Sequence, residues 1–149
     1  MHKLSSLLPI LLLVLSCCSQ SARACDDTPV MTGTKEDGTK VELILNSKQV
    51  AKTPAWRPGQ GEPPLSVARA IQLGSTWAKG HYKRFDSVDV ERISLQSFGE
   101  CSNAQTHWYY VLEFTPVMDG NRFFGSFNWA AVLFDGTVVG ATETKHGSN

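Results

Sequence analysis

The sequence predicts an α+β fold: one amphipathic helix packed across a four-stranded antiparallel meander, with an N-terminal β-hairpin extension. Three observations carry this. Only one segment, Ser66 to Gly80, sets its apolar residues at helical period. From Ser87 to Thr144 the chain alternates apolar and polar residues between turn signals. Two Asp-Gly pairs, Asp37-Gly38 and Asp135-Gly136, sit between such runs and mark hairpins.

The hairpin comes first. "VMTGTKEDGTKVELIL" places Asp37-Gly38 at its turn, and Val41, Leu43 and Leu45 alternate with Glu42, Ile44 and Asn46. Ile44 interrupts the polar side, which predicts a strand covered on both faces. "KTPAWRPGQGEPP" follows; its prolines and glycines forbid a regular element. It reads as an extended crossing segment that docks through Trp56.

In the helix, Ser66 is the N-cap and Gly80 the C-terminal cap. Val67, Ala70, Ile71, Gly74, Trp77 and Ala78 form one face. Gly74 lies on that face and costs about 1 kcal/mol relative to alanine. Close approach to a sheet is the expected compensation, and Val67, Ile71 and Trp77 are expected to be buried there.

Four strands follow. "SVDVERISLQSF" slips phase between Val90 and Ile93, which predicts a bulge near Glu91-Arg92. "HWYYVLEF" puts Trp108, Tyr110, Leu112 and Phe114 on one face, and Tyr109 and Val111 on the other. "PVMDGN" reads as a turn and "RFFGSFNWAAVLF" as a long third strand. Asp135-Gly136 reads as a two-residue turn into a fourth strand, "VVGATET". The aromatic face suits the helix. The other face is apolar too, and within the chain only the N-terminal hairpin can cover it.

The chain divides into a signal peptide (1–24), the hairpin and crossing segment (25–62), the helix-plus-sheet domain (63–145) and a tail (146–149). The first segment has basic Lys3, an apolar run from Leu7 to Leu15 and Ala22-Arg23-Ala24, small residues where a signal peptidase cuts. The run is shorter than the roughly 20 residues that span a bilayer. The expected destination is secreted or periplasmic. "VLSC", ending at Cys17, loosely fits a lipoprotein box, so a lipid anchor at Cys17 is the alternative.

Cleavage after Ala24 leaves Cys25 and Cys101, and in an oxidising compartment one disulfide between them is the economical inference. Free thiols, or Cys25 paired with another chain, are the alternatives. The same cleavage removes Lys3 and Arg23, taking the formal charge from 0 to −2. That lacks the basic footprint of a nucleic-acid binder.

The chemistry-bearing residues are sparse. Cys101 and His107 could pair as thiol and base, which would make a thiol enzyme. His81, His107 and His146 lack metal-ligand spacing, so no cofactor or metal is expected. Glu113 lies among Tyr109, Val111 and Phe114, and a carboxylate there would need a partner if covered. The aromatic residues from Trp108 to Phe134 could line a small apolar-ligand pocket between helix and sheet, or simply fill the core.

"PLSVARAIQLG", "VDVERISL", "WYYVLEF" and "AAVLFDGTVVGATET" together resemble a PepSY-type domain within the broader cystatin-like α+β architecture. The resemblance covers roughly residues 63–145. It implies a non-catalytic extracytoplasmic module of the kind found in peptidase propeptides, and so a protein or peptide partner, with a peptidase as its class. It supplies no catalytic residue. The cystatin side is not carried further, because the chain has no Gln-x-Val-x-Gly loop. The expected function is a non-enzymatic binding module using an edge strand or the outer sheet face, with Tyr109, Val111 and Glu113 as the candidate interaction face.

Overall fold

A computed structural model describes residues 27–99, 107–125 and 127–145. The expected signal peptide, Cys17, Cys25 and Cys101 lie outside the described residues, as do the expected disulfide and the alternative lipid anchor.

The chain is mixed α+β, with one main helix and two antiparallel sheets. The first sheet holds β1 (Thr28–Thr34) and β2 (Lys40–Leu45), joined as a hairpin. Its turn is a three-residue loop: Lys35 N–H donates to Thr39 O, Gly38 N–H donates to Lys35 O, and Gly38 takes φ 80°. This is a turn followed by a left-handed residue, a common three-residue hairpin connection in which glycine carries the positive φ. A single helical turn, α1 (Ser47–Val50), follows; Asn46 caps it by accepting from Gln49 N–H, and it buries Val50.

The crossing segment has no regular element. Trp56 docks edge-on against Trp108 and Phe134, at ring-centroid distances of 5.8 and 6.1 Å. The main helix, α2 (Val67–His81), begins at Ser66, whose Oγ accepts from Arg69 N–H at 3.2 Å. It runs one residue past Gly80. Tyr82 N–H still reaches Ala78 O, and His81 stacks on Trp77, so the last turn is held and Gly80 lies inside the helix. The buried stripe is Ala70, Gly74 and Ala78. Ile71 and Trp77 are half-buried, whereas Val67 is 47% exposed. Val67 sits in the first turn, beyond the reach of the sheet, so its helical period does not bring burial. At Gly74 a Cβ would lie 2.6 Å from Leu112 Cδ2, so the helix approaches the sheet closely there.

The second sheet runs β3 (Ser87–Phe98), β4 (His107–Met118), β6 (Trp129–Leu133), β7 (Val138–Gly140), with the short β5 (Asn121–Arg122) pairing the end of β4. The bulge falls between Val90 and Arg92, where the phase slips. Val88, Val90, Ile93 and Leu95 therefore all face α2. β4 is longer than expected and continues through Pro116. Proline cannot donate, but its carbonyl accepts from Phe123 N–H and its neighbours pair with β3. The turn is correspondingly later, at Asp119-Gly120. The expected long third strand is instead β5, an irregular loop and β6. Phe127 at φ 52° and Gly125 at φ 74° break the extended backbone between them. The loop after β6 is three residues rather than the expected two: Leu133 and Thr137 close it, so Phe134 joins Asp135 and Gly136 in the turn, with Gly136 at φ 89°.

The last strand is split. β7 pairs with β6, and after Ala141 β8 (Thr142–Thr144) pairs with β2 in the first sheet. The chain changes sheets here, and Gly140 is at the corner. A Cβ at Gly140 would run into the Trp77 ring.

Two cores result. Between α2 and the meander lie Trp56, Leu65, Ala70, Ala78, Tyr110, Leu112, Phe114, Val132 and Phe134. Between the meander and the hairpin sheet lie Leu43, Leu45, Val50, Tyr109, Val111, Ala131 and Leu133. The order is helix, sheet, sheet. Ile44, expected to be covered, points outward at 39% exposed, because nothing lies beyond the hairpin sheet among the described residues.

Candidate functional site

The residues singled out in the sequence go to different places. Tyr109 is 2% exposed and Val111 1%, both beneath the hairpin. They are core residues of this chain, so the outer face is occupied from within. Tyr109 is pushed up to about 12 by burial, and its hydroxyl donates to Gln96 Oε1 at 3.2 Å. Glu113 is the member of the trio that reaches solvent. It opposes Arg92 across the β3–β4 ladder, and Arg92 Nη1 donates to its Oε1 at 3.3 Å. Cys101 lies outside the described residues. His107 opens β4, with Nδ1 3.3 Å from Thr53 Oγ1. No group of three or more His, Cys, Asp or Glu among the described residues is arranged to hold a metal ion. No helix among them is long and apolar enough to cross a membrane.

With the outer face covered, two surfaces among the described residues stand out. One is the free edge of β3. Among the described residues, β3 pairs only with β4. Its first half carries Asp89, Glu91 and Arg92 around the bulge; its second half, Ile93 to Phe98, carries no charge and runs in regular register against β4. Charges and bulges are what keep edge strands from pairing with other chains. The protection therefore stops at Arg92.

The other surface is at the end of the sheets where β4 turns into β5. Two depressions adjoin there. A groove of about 660 Å³ lies between the hairpin turn, the end of α2 and the loop before β6. It is crossed by the Lys35–Glu143 ion pair at 2.6 Å and floored in part by Tyr82 and Phe85. Burial, with Glu143 adding to it, pushes Tyr82 up to about 12. A smaller pocket of about 260 Å³ opens on the same loop. Its walls are Glu91, Glu113 and Thr115 from the strands, and Phe124, Phe127 and Asn128 from the loop.

The loop holds its shape through Phe127. The positive φ of this residue aims its ring under the hairpin, where a Cβ on Gly33 would lie 2.5 Å from it, and onto Trp129 at 5.2 Å. A non-glycine residue in this region costs about 1–3 kcal/mol and persists only where packing over-determines it. Arg122 bonds Asp89 at 2.9 Å and Glu91 at 2.6 Å and lies 5.3 Å from the centroid of the Phe124 ring. Phe123 and Phe124 are 44% and 65% exposed. The sequence reading missed this site. Its signal was three phenylalanines within five residues around Gly125, more aromatic surface than one strand face needs.

No protein-family model matches this chain, and no curated protein or solved structure matches it.

Proposed function

We propose that the chain is an extracytoplasmic, non-catalytic binding module that takes a protein or peptide strand along the outer edge of β3. In this reading the functional unit is the helix-on-meander domain of residues 63–145, and the N-terminal hairpin is an extension that closes its outer face. The observation that carries it is the uncharged edge from Ile93 to Phe98, unpaired among the described residues. An added strand satisfies the edge N–H and C=O groups and draws specificity from alternate side chains. The PepSY resemblance gives a peptidase as the partner class, and the signal segment gives the compartment. Against a ligand pocket between helix and sheet stands the filling of that interface: Trp56, Tyr110, Leu112, Phe114 and Phe134 occupy it, and neither depression is lined by the buried stripe of α2.

The test is affinity capture from the extracytoplasmic fraction, comparing the parent chain with Ser97→Lys, followed by hydrogen exchange on the complex. Ser97 is exposed on the edge strand. The expected result is a partner lost in the lysine variant, with backbone protection appearing over residues 93–98. A partner retained by Ser97→Lys, with protection elsewhere, overturns edge pairing.

A further inference from the structure

We propose that the β3 edge also pairs with β3 of a second copy of this chain, and that this pairing keeps the edge closed until a partner strand displaces it. The inference rests on the edge reading above and names how that edge is regulated.

The first observation is an apolar row that the fold covers only in part. Val88, Val90, Ile93 and Leu95 face α2, and all four are half-buried. On the same face of β4, Tyr110, Leu112 and Phe114 are buried. The cover that α2 gives therefore thins toward the edge. Beside that row lies backbone that is unpaired among the described residues. Such an edge gains from a strand with apolar side chains on the helix face and polar ones behind.

The strand's own sequence has that pattern: Ile93 and Leu95 alternate with Ser94 and Gln96. Symmetry then restricts the register. Two copies of one strand pair antiparallel about a two-fold axis perpendicular to the sheet, so each residue meets one from the same face. The axis falls at a single residue of each copy, and near the middle of the uncharged stretch that residue is Leu95 or Gln96. Leu95 at the axis sets Leu95 on Leu95 and Ile93 beside Ser97 on the helix face, with Ser94 opposite Gln96 behind. Gln96 at the axis would pair two glutamines and set Ser94 against Phe98, leaving Ile93 outside the run. The apolar row selects Leu95. From Ile93 to Ser97 no charge opposes another, and the bulge with Asp89, Glu91 and Arg92 lies beyond the paired run. A pair of this kind is closed, because each edge is used by the other. It shields the half of β3 that no charge or bulge protects.

The test is sedimentation velocity of the mature chain over a concentration series, with hydrogen exchange at both ends of the series. So small an interface should give a weak dimer, with Kd of about 1–100 μM. Salt should not change it, since no ion pair is formed. Protection over residues 93–97 should grow with concentration. Ser97→Lys sets a lysine beside each Ile93 and should weaken the dimer at least about tenfold. Leu95→Cys places two thiols across the axis, at the Cα separation of about 4.5–5.5 Å found in antiparallel pairs, which a disulfide can bridge. Mild oxidation should then give a covalent dimer whose bridge maps to position 95, above the background of the parent chain. That bridged dimer should capture no partner from the extracytoplasmic fraction, and reduction should restore capture. A parent chain that stays monomeric, yet gains protection over residues 93–98 with a captured partner, overturns the dimer and leaves the edge reading standing. A dimer that persists in Ser97→Lys, or that protects residues elsewhere, also overturns it. Capture by the bridged dimer overturns the sharing of one edge by both partners.

Discussion

Replacing Gly140 by alanine adds one methyl group at the point where the last strand leaves one sheet for the other, and that methyl meets the Trp77 ring. The ring has little room to yield. It stacks on His81 at 4.6 Å, abuts Tyr82 edge-on at 6.1 Å and tilts over Phe114 at 6.1 Å. Overpacking of this kind costs about 1–3 kcal/mol. The substitution also restricts the unfolded chain, which returns about 0.4–1 kcal/mol. The net expectation is a loss of about 1–2 kcal/mol. With a urea m-value of about 2 kcal/mol/M, the midpoint should fall by about 0.5–1 M at constant slope. Circular dichroism is the right readout, because Trp77 fluorescence would respond to the local change itself. Trp77→Phe in the same background tests the cause. The smaller ring should accept the methyl, so the double variant should lose less than the sum of the singles by about 1 kcal/mol. A neutral or stabilising Gly140→Ala, or strict additivity with Trp77→Phe, would show that the close approach does not govern this corner.

Leu43→Ala should cost about 2–5 kcal/mol by equilibrium denaturation, since Leu43 is fully buried between hairpin and meander; a loss below about 1 kcal/mol would mean the hairpin does not seal that face. The tyrosines should titrate late in ultraviolet difference absorbance. Burial pushes Tyr82 and Tyr109 up to about 12 and raises Tyr110 from 10. The folded chain then holds protons that the unfolded chain releases from about pH 10. The associated stability is intact below pH 10 and is lost as pH rises from about 10 to 12. Phenolate appearing near pH 10 with the fold intact would contradict the burial of these rings.

What the sequence revealed, and what it hid, follows from the range of each signal. Ser66, the Gly74 approach, the positions of both Asp-Gly turns and the bulge are local devices, and each lies where local chemistry puts it, although the Asp135-Gly136 turn takes three residues rather than two. The layer order was legible too. β4 is apolar on both faces, and a strand buried twice needs a cover on each side. The end of the sheets was not legible. Phe123, Phe124 and Phe127 have high strand propensity, and only tertiary insertion of Phe127 beneath Gly33 turns that stretch into a loop. Pro116 misled in the other direction, because a proline in a strand reads as a turn unless its missing donor is known to be unneeded. Val67 kept helical period yet stayed outside, since period fixes the face but not the length of sheet beneath it.

The consequence for binding lies in how the two sheets divide their exposure. The meander alone would present Tyr109, Val111, Ala131 and Leu133 as a continuous apolar face, which a soluble chain rarely leaves open. The hairpin covers it, and β8 stitches the cover to the meander by pairing with β2. Under the proposed function, with that face closed, the β3 edge and the loop end where the cover stops are two of the surfaces left open among the described residues. Those two surfaces differ in chemistry. The edge from Ile93 to Phe98 offers hydrogen bonds without charge, while the pocket offers carboxylates framed by aromatic rings. Glu91 belongs to both, on β3 at the bulge and in the pocket wall. A peptide laid along β3 and extended past the bulge would therefore bring its side chains toward the pocket mouth. In the proposed edge pairing, the acidic charges of the first half of β3 are already met by Arg122, and the uncharged second half supplies the pairing.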